Sequence, residues 1–144
     1  MFKFLVIFLV ALTCNATSIK NQTYNNVIVD EVTSIYDGDT FRANIKGYPD
    51  IIGKRIGIRV NGIDTPEMRG KCDKEKKLAH EAKQFAVAML RSGKVIEFRN
   101  LKRGKYFRIV ADVFVDGESL GEELIDNKLA MPYDGGTKVK DWCE

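Results

Sequence analysis

Between residues 26 and 63 the chain alternates apolar and polar side chains with the two-residue period of a half-buried β-strand. Asn26 to Tyr36 and Thr40 to Ile45 are two such runs, and Ile51 to Ile63 is a third. The turn-forming sequence Asp37-Gly38-Asp39 separates the first two runs, and Lys46 to Asp50 separates the second from the third. The pattern therefore predicts a three-stranded antiparallel meander.

A helical period replaces this alternation after residue 72. Asp73 can cap the start of a helix, and Gly93 can end it. Between them, apolar residues recur at spacings of four, three and four, which places them on one helical face. These residues are Leu78, Ala82, Phe85 and Met89. The single histidine, His80, lies off this face, so we expect it at the surface.

Two further strands and a second helix are predicted in the remaining chain. Lys94 to Phe98 and Phe107 to Val115 have strand composition, and the basic turn Asn100 to Lys105 joins them. Ser119 to Asp126 carries apolar residues at helical spacing. Three strands, a helix and two strands is the element order of an oligonucleotide-binding (OB) barrel. We expect an α+β fold, mainly β, built as a five-stranded OB-fold-like barrel with two helices; an open sheet packed against helices is the alternative.

The first 16 residues have the three-part layout of a secretory signal peptide: Met1 to Lys3, the apolar run Phe4 to Leu12, and small or polar residues through Ala16. Cleavage after Ala16 would leave residues 17 to 25 as a polar, flexible leader and residues 26 to 144 as one domain. We therefore expect a secreted or periplasmic protein without a membrane span in the mature chain. Cys14 leaves open an uncleaved anchor or a lipoprotein.

Charge and cysteine usage narrow the chemistry. The formal charge of +3 permits an anionic partner without requiring one. A zinc site is not expected, because the sole histidine stands alone and no cysteine pair has metal-ligand spacing. Once Cys14 leaves with the signal peptide, Cys72 and Cys143 remain. An even cysteine count in an exported protein predicts a disulfide, with two free thiols as the alternative.

The segment Arg59 to Glu67 concentrates charge at the end of the third strand. Proline removes a backbone donor and restricts its predecessor, so Thr65-Pro66 ends the strand. Asp64 and Glu67 therefore lie on or beside a turn with a stiff backbone, which suits metal binding and catalysis. For this segment considered alone, a polar turn that only closes a strand is the alternative.

Other charged residues complete a chemical set. Asp39, in the first hairpin turn, and Asp64 offer the oxygen ligands that calcium or magnesium prefers. Arg59 and Arg108 oppose the apolar rows of their strands, so both guanidinium groups face away from the core and can hold a phosphate bidentately. Carboxylates, a divalent cation, Glu67 and paired arginines together indicate metal-assisted phosphodiester hydrolysis.

With these residues in place, the chain resembles the thermonuclease family, the staphylococcal-nuclease-like nucleases. Three pieces carry the resemblance in the family's order and spacing: Ile35 to Thr40, Arg59 to Glu67, and Lys105 to Arg108. The resemblance implies a secreted, calcium-dependent endonuclease that hydrolyses DNA and RNA with little sequence preference and leaves 3′-phosphates. It implies nucleic acid as substrate and no stable protein partner, and a monomer is the default expectation.

The resemblance also implies a role for each residue near the metal. Asp39 and Asp64 would ligate calcium, with the Thr65 carbonyl as a further ligand. Glu67 would position or activate the attacking water. Asp37 matches an acidic family position near the metal, which leaves open whether it is a ligand or serves the turn alone.

A second group of matching residues would contact the substrate. Arg59 and Arg108 would hold the phosphate and stabilise its transition state. Lys105 and Tyr106 match positions that contact the terminal phosphate of a bound nucleotide. The chain departs from the family at Phe107, where glycine is usual beside the second arginine.

A non-catalytic OB-like module that only binds nucleic acid is the alternative function. Such a module keeps a basic face and aromatic residues for stacking, and Tyr133 either stacks on a base or packs on the barrel. It does not need Asp39, Asp64 and Glu67 together, so their joint presence favours the enzyme. A secreted structural or inhibitor domain leaves the arginine pair unexplained.

Overall fold

The computed structural model describes residues 22–138 and 140–144. The predicted signal peptide and residues 17 to 21 of the predicted leader lie outside the described residues. Contacts with the barrel begin within that leader, because the Tyr24 N–H donates to the Leu101 carbonyl oxygen at 2.8 Å. Within the described ranges, no helix is long and apolar enough to cross a membrane.

The described residues contain the five predicted strands and two predicted helices in the predicted order, together with one short helix and three two-residue strands that were not predicted. The strands are β1 (Val27–Ile35), β2 (Thr40–Ile45), β3 (Ile56–Val60), β4 (Ile63–Asp64), β5 (Ile96–Arg103), β6 (Arg108–Val115), β7 (Glu118–Ser119) and β8 (Met131–Pro132). The helices are α1 (Asp50–Gly53), α2 (Asp73–Ser92) and α3 (Leu120–Asp126).

Five of the strands close into a barrel. β1, β2 and β3 form the predicted antiparallel meander, and β1 also pairs with β5, which pairs with β6. A parallel pairing between β3 and β6 closes the ring. The prediction of a mainly β, OB-like five-stranded barrel is therefore confirmed, and the open sheet is wrong. The short strands β4 and β8 pair with each other outside the barrel.

One apolar core fills the barrel and continues under α2 and α3. The rings of Phe41 and Phe98 meet at its centre, with 5.9 Å between their centroids. Every second residue of β6 points inward, so that Ala111, Val113 and Val115 are buried. This alternation leaves Arg108 on the outward face of the strand, as predicted.

Three predicted strand boundaries are wrong. The third predicted strand ends at Val60 rather than Ile63, which belongs to the separate strand β4. The alternation predicts a strand from Ile51, but Asp50–Gly53 forms one helical turn, so the described residues contain three helices rather than two. The N–H groups of Ile52 and Gly53 donate to the Pro49 carbonyl, which fixes this turn despite the β-branched side chains. β5 runs through the predicted basic turn to Arg103. Its pairing with β6 shifts register between Arg99 and Lys102 and then continues to Arg103.

Helix α2 has the predicted length but a different cap and a shifted face. Its N-cap is Cys72, whose Sγ accepts from the Glu75 N–H at 3.4 Å. The small residues Ala79, Ala82 and Ala86 face the core with no exposed surface. The larger Leu78, Phe85 and Met89 of the predicted face are therefore only half-buried. His80 is exposed, as predicted.

Candidate active site

The first hairpin turn lies against α2 and β3. A Cβ on Gly38 would come within 2.9 Å of Ala82 Cβ and of Thr65 Cγ2, so only glycine allows this close approach. The Asp39 carbonyl accepts from the Val60 N–H at 2.8 Å. These contacts fix the position of the Asp39 side chain at one end of the barrel.

The Asp39 carboxylate is buried and has partners on both oxygens. It is 2% exposed. Its Oδ2 accepts from the Thr65 N–H at 3.0 Å and from Thr65 Oγ1 at 2.9 Å. Its Oδ1 accepts from Thr40 Oγ1 at 3.0 Å and forms an ion pair with Arg59 Nη1. The first hairpin and the turn after β4 are thus joined through a single carboxylate.

Arg59 bridges Asp39 and Asp64, the two aspartates that are predicted to be metal ligands. Its Nη2 lies 3.3 Å from Asp64 Oδ1 and donates to the Ile63 carbonyl at 3.2 Å, while its Nη1 pairs with Asp39. Asp64 is 4% exposed and belongs to β4, which β8 holds in place. Two buried carboxylates therefore share one guanidinium, because each needs a counter-charge away from water.

Lys138 is a site residue that the sequence does not reveal. Its Nζ lies 2.9 Å from Asp64 Oδ1 and 2.6 Å from Glu67 Oε1. Partial burial acts to lower the pKa of Lys138, but hydrogen bonds to Glu67 and Asp64 outweigh that effect and raise the pKa above its usual value. The ammonium group is therefore a cation held between two of the predicted site carboxylates.

The loop that carries Glu67 is held by a buried glutamate next to a disulfide. Glu75 Oε1 accepts from the Glu67 N–H at 3.3 Å, and Oε2 accepts from the Lys71 N–H at 2.9 Å. Cys72 and Cys143 form a disulfide beside it, with 6.0 Å between their Cα atoms. The Glu67 side chain itself is 56% exposed, so it is open to solvent.

Arg108 stands on the same outward face as Arg59. In the parallel pairing of β3 with β6, Gly57 lies opposite Arg108 and Arg59 lies opposite Val110. A Cβ on Gly57 would come within 2.9 Å of Arg108 Cγ, so the glycine leaves room for the arginine to cross the strand. Arg108 Nε donates to the Lys105 carbonyl at 3.4 Å. The barrel closure thus brings both arginines to one surface.

A cleft of about 920 Å³ contains most of these groups. We refer to it as the first cleft. Its predicted members are Asp39, Arg59, Thr65, Glu67, Lys105 and Arg108, and it also includes Lys138, Tyr133 and Asp37. Asp64 lies just beneath, in contact with Arg59 and Lys138. Tyr106 does not line the first cleft; its side chain is 88% exposed and points to the other side of Arg108.

Two residues that the sequence left ambiguous are held by local contacts. Asp37 Oδ1 accepts from the Asp39 N–H at 3.1 Å, as a residue that stabilises the turn would. Burial raises the pKa of Asp37 above its usual value, against the lowering effects of the Thr40 backbone and Arg59. The Tyr133 hydroxyl donates to the Gly136 carbonyl at 2.7 Å, and its side chain lines the first cleft.

The donor set around Asp39 and Asp64 suits a hard divalent cation. Both carboxylates are buried and present fixed anionic oxygens, the ligand type that a hard divalent cation prefers. Arg59 and Lys138 now supply their counter-charge, so a bound cation would compete with these two side chains. Among the described residues, the three carboxylates Asp39, Asp64 and Glu67 do not form a tight triad. In the part of the chain that the structure describes, three metal-ligating side chains come within 4.8 Å of one another only at Cys72, Glu75 and Cys143, and the disulfide removes both thiolates.

Comparison with known proteins places this geometry in a family. The family model described as staphylococcal nuclease homologue matches residues 57–141. A probable endonuclease of Schizosaccharomyces pombe is 28% identical over 148 residues, which cover 87% of this chain and 64% of that protein. Endonuclease YncB of Bacillus subtilis is 31% identical over 121 residues, which cover 81% of this chain and 53% of that protein.

A third relative shows the same partial coverage. The SPbeta prophage-derived endonuclease YokF of Bacillus subtilis is 32% identical over 110 residues, 73% of this chain and 35% of its own length. The chain thus spans between about a third and just under two thirds of the length of these relatives. The match to the family model covers more than half of the chain and includes most of β3, the proline turn and β6. The chain belongs to the staphylococcal nuclease homologue family.

Proposed function

We propose that this chain is a secreted or periplasmic, calcium-dependent nuclease that hydrolyses DNA and RNA with little sequence preference and leaves 3′-phosphates. The observation that carries the proposal is the Arg59 guanidinium, which joins the buried carboxylates of Asp39 and Asp64 at the floor of a cleft that Arg108 and Glu67 also enter. The relatives named endonucleases support the nuclease class.

The two arginines would grip the scissile phosphate. Arg59 is one-fifth exposed, so its charge acts in a partly water-excluded place, where it is stronger than at the open surface. Arg108, on the neighbouring strand, faces the same cleft. Two planar guanidinium groups on a rigid barrel can hold the phosphate oxygens and stabilise the charge that grows on them in the transition state.

Asp39, Asp64 and the Thr65 carbonyl would hold the calcium ion. When bound, the ion would supply positive charge that helps neutralise the phosphate. The protein's part is to keep the two carboxylates fixed. Thr65, Thr40 and Arg59 hold Asp39, and Arg59 also contacts Asp64.

Glu67 would act on the attacking water. Its carboxylate is exposed to the cleft, and its backbone is fixed through Glu75. In hydrolysis the water oxygen bonds to phosphorus, Glu67 takes a water proton, and the bond from phosphorus to the 5′ oxygen breaks as that oxygen takes up a proton. The products are a 3′-phosphate and a 5′-hydroxyl. Lys105 in the cleft wall and Tyr106 beside it would contact a neighbouring phosphate.

A cleavage assay separates the enzyme from a module that only binds. Purified protein is mixed with end-labelled single-stranded DNA and RNA in calcium, and products are resolved by length. We expect both substrates to be cut at many positions, with ends that become ligatable only after a phosphatase removes a 3′-phosphate. Binding of both substrates without cleavage would favour the non-catalytic OB-like module instead.

Replacing Lys138 is expected to strengthen calcium binding. In Lys138→Met the ammonium no longer competes with calcium for Asp64, and because Lys138 is 45% exposed the gain is modest. We expect roughly fivefold tighter binding, which corresponds to about 1 kcal/mol. Titration calorimetry measures it. Lys140→Met is the control, because Lys140 lies in the same segment with its Nζ over the Trp142 ring. Unchanged or weaker binding in Lys138→Met would contradict the prediction.

A further inference from the structure

A second cleft, of about 610 Å³, adjoins the first. The two clefts share Tyr36, Thr40 and Arg108 in their walls. Helix α1 forms part of the far side through Ile51, and the β5–β6 turn forms another part through Phe107. A polymeric ligand held at Arg108 can therefore continue from one cleft into the other without leaving the surface.

The charged residues that line the second cleft are cationic. Four of its lining residues are cationic, Arg42, Lys54, Arg55 and Arg108, and none of the described residues that line it is Asp or Glu. Lys54 pairs with Asp50 at 2.9 Å, but both side chains are mostly exposed, so the pair is weak and easily exchanged for another anion. The first cleft, by contrast, contains Asp37, Asp39 and Glu67. The second cleft is therefore complementary to a polyanion.

Aromatic side chains are displayed beside these cations rather than buried. Tyr36 is 54% exposed and Phe107 is 56% exposed. Tyr106 and Phe107 both have left-handed backbone conformations, with φ of 57° and 56°. Two consecutive non-glycine residues in that region are unfavourable, and such strain is concentrated at functional positions. The strained turn holds both rings at the surface next to Arg108.

We propose that the second cleft is a subsite for single-stranded nucleic acid. The cleft binds the nucleotides that lie beyond the phosphate held at Arg108. Bases stack on Phe107, and Lys54 and Arg55 contact the backbone phosphates. Exposed rings alternating with cations are the chemistry that binds single strands without sequence preference. The proposal rests on the proposed function, because Arg108 links the two clefts.

The test compares how affinity grows with the length of the strand. Fluorescein-labelled dithymidylate and hexathymidylate are titrated with the protein in a chelator, which prevents cutting, and anisotropy gives Kd. The wild-type protein is expected to bind the hexamer more tightly than the dimer. Phe107→Gly removes the ring and suits the positive φ, so it tests stacking without adding strain. We expect this variant to lose roughly 5- to 100-fold of hexamer affinity.

Lys54→Ala tests the phosphate contact. The slope of log affinity against log salt for the hexamer is expected to become shallower by about 0.7, the value for one phosphate contact on a single strand. Tyr24→Ala is the matched control for Phe107→Gly, because Tyr24 is an aromatic residue that is 46% exposed and lines neither cleft. Wild-type length dependence and salt slope in both cleft variants would overturn the subsite.

The same measurements distinguish failure of the subsite from failure of the proposed function. A wild-type protein that cleaves DNA, with hexamer binding insensitive to Phe107→Gly and Lys54→Ala, refutes only the subsite. A protein that binds the hexamer through the second cleft but cleaves nothing in calcium supports the subsite and refutes the enzyme. No binding of either strand, together with no cleavage in calcium, refutes both.

Discussion

Arg59→Ala is expected to lower kcat on single-stranded DNA by at least ~100-fold, the scale of losing one transition-state contact. Arg59 contacts both buried aspartates and faces the cleft, so its loss removes a phosphate ligand and leaves Asp39 and Asp64 without their shared counter-charge. Steady-state kinetics in calcium measures the effect, and thermal unfolding shows how much of it follows from lost stability.

Arg59→Lys separates catalysis from stability. It keeps the positive charge between Asp39 and Asp64 but not the planar fork that holds two oxygens at once. We expect near wild-type thermal stability with kcat still at least ~10-fold reduced. Arg99→Ala is the control, because Arg99 pairs with Glu97 and lies over the Phe114 ring, outside both clefts. Wild-type kcat in both Arg59 variants would remove Arg59 from the mechanism.

Loss of the disulfide is expected to destabilise the fold by about 4 kcal/mol, the chain-entropy value for a loop of this length. Cys72 and Cys143 are 71 residues apart, so the bond constrains half of the unfolded chain. In the variant with Cys72→Ser and Cys143→Ser, the serine at position 72 keeps a good N-cap for α2, which isolates the effect of the cross-link. Urea unfolding measures it.

The reduced wild-type protein provides the matched comparison. Its unfolding midpoint should coincide with that of the double variant, because both lack the bond and retain a polar cap. An unfolding midpoint equal to that of the oxidised wild type, in either sample, would show that the bond does not stabilise the domain. We also expect looser attachment of the C-terminal segment that brings Lys138 to Asp64 and Glu67.

Much of the barrel could be predicted because its signals are local. Alternation in β6 places Arg108 opposite a buried apolar row, and the structure places it on the outward face. The proline turn after Asp64 and the hairpin at Asp39 can each be predicted from a few neighbouring residues. The alternation could not predict which strands pair to close the barrel. Only the pairing of β3 with β6 brings Arg59 and Arg108 to one surface.

The remaining differences arise where long-range contacts override local pattern. Ile51 and Ile52 have strand composition, yet Pro49 begins a helical turn that exposes both. Lys138 is 71 residues from Glu67 and carries no motif, so nothing in the sequence connects them. The second cleft is likewise assembled from α1, β3 and the β5–β6 turn, and only the folded barrel brings these segments together.

Calcium dependence is the central feature of the proposed mechanism. Purified protein that lacks the predicted signal peptide is incubated with labelled single-stranded DNA, first in EDTA and then after addition of excess calcium. We expect no cleavage in EDTA and full cleavage once calcium is restored, with Asp64→Asn inactive in both because one ligand is lost. Cleavage of the DNA by the wild-type protein in EDTA at the calcium-supported rate would contradict the account.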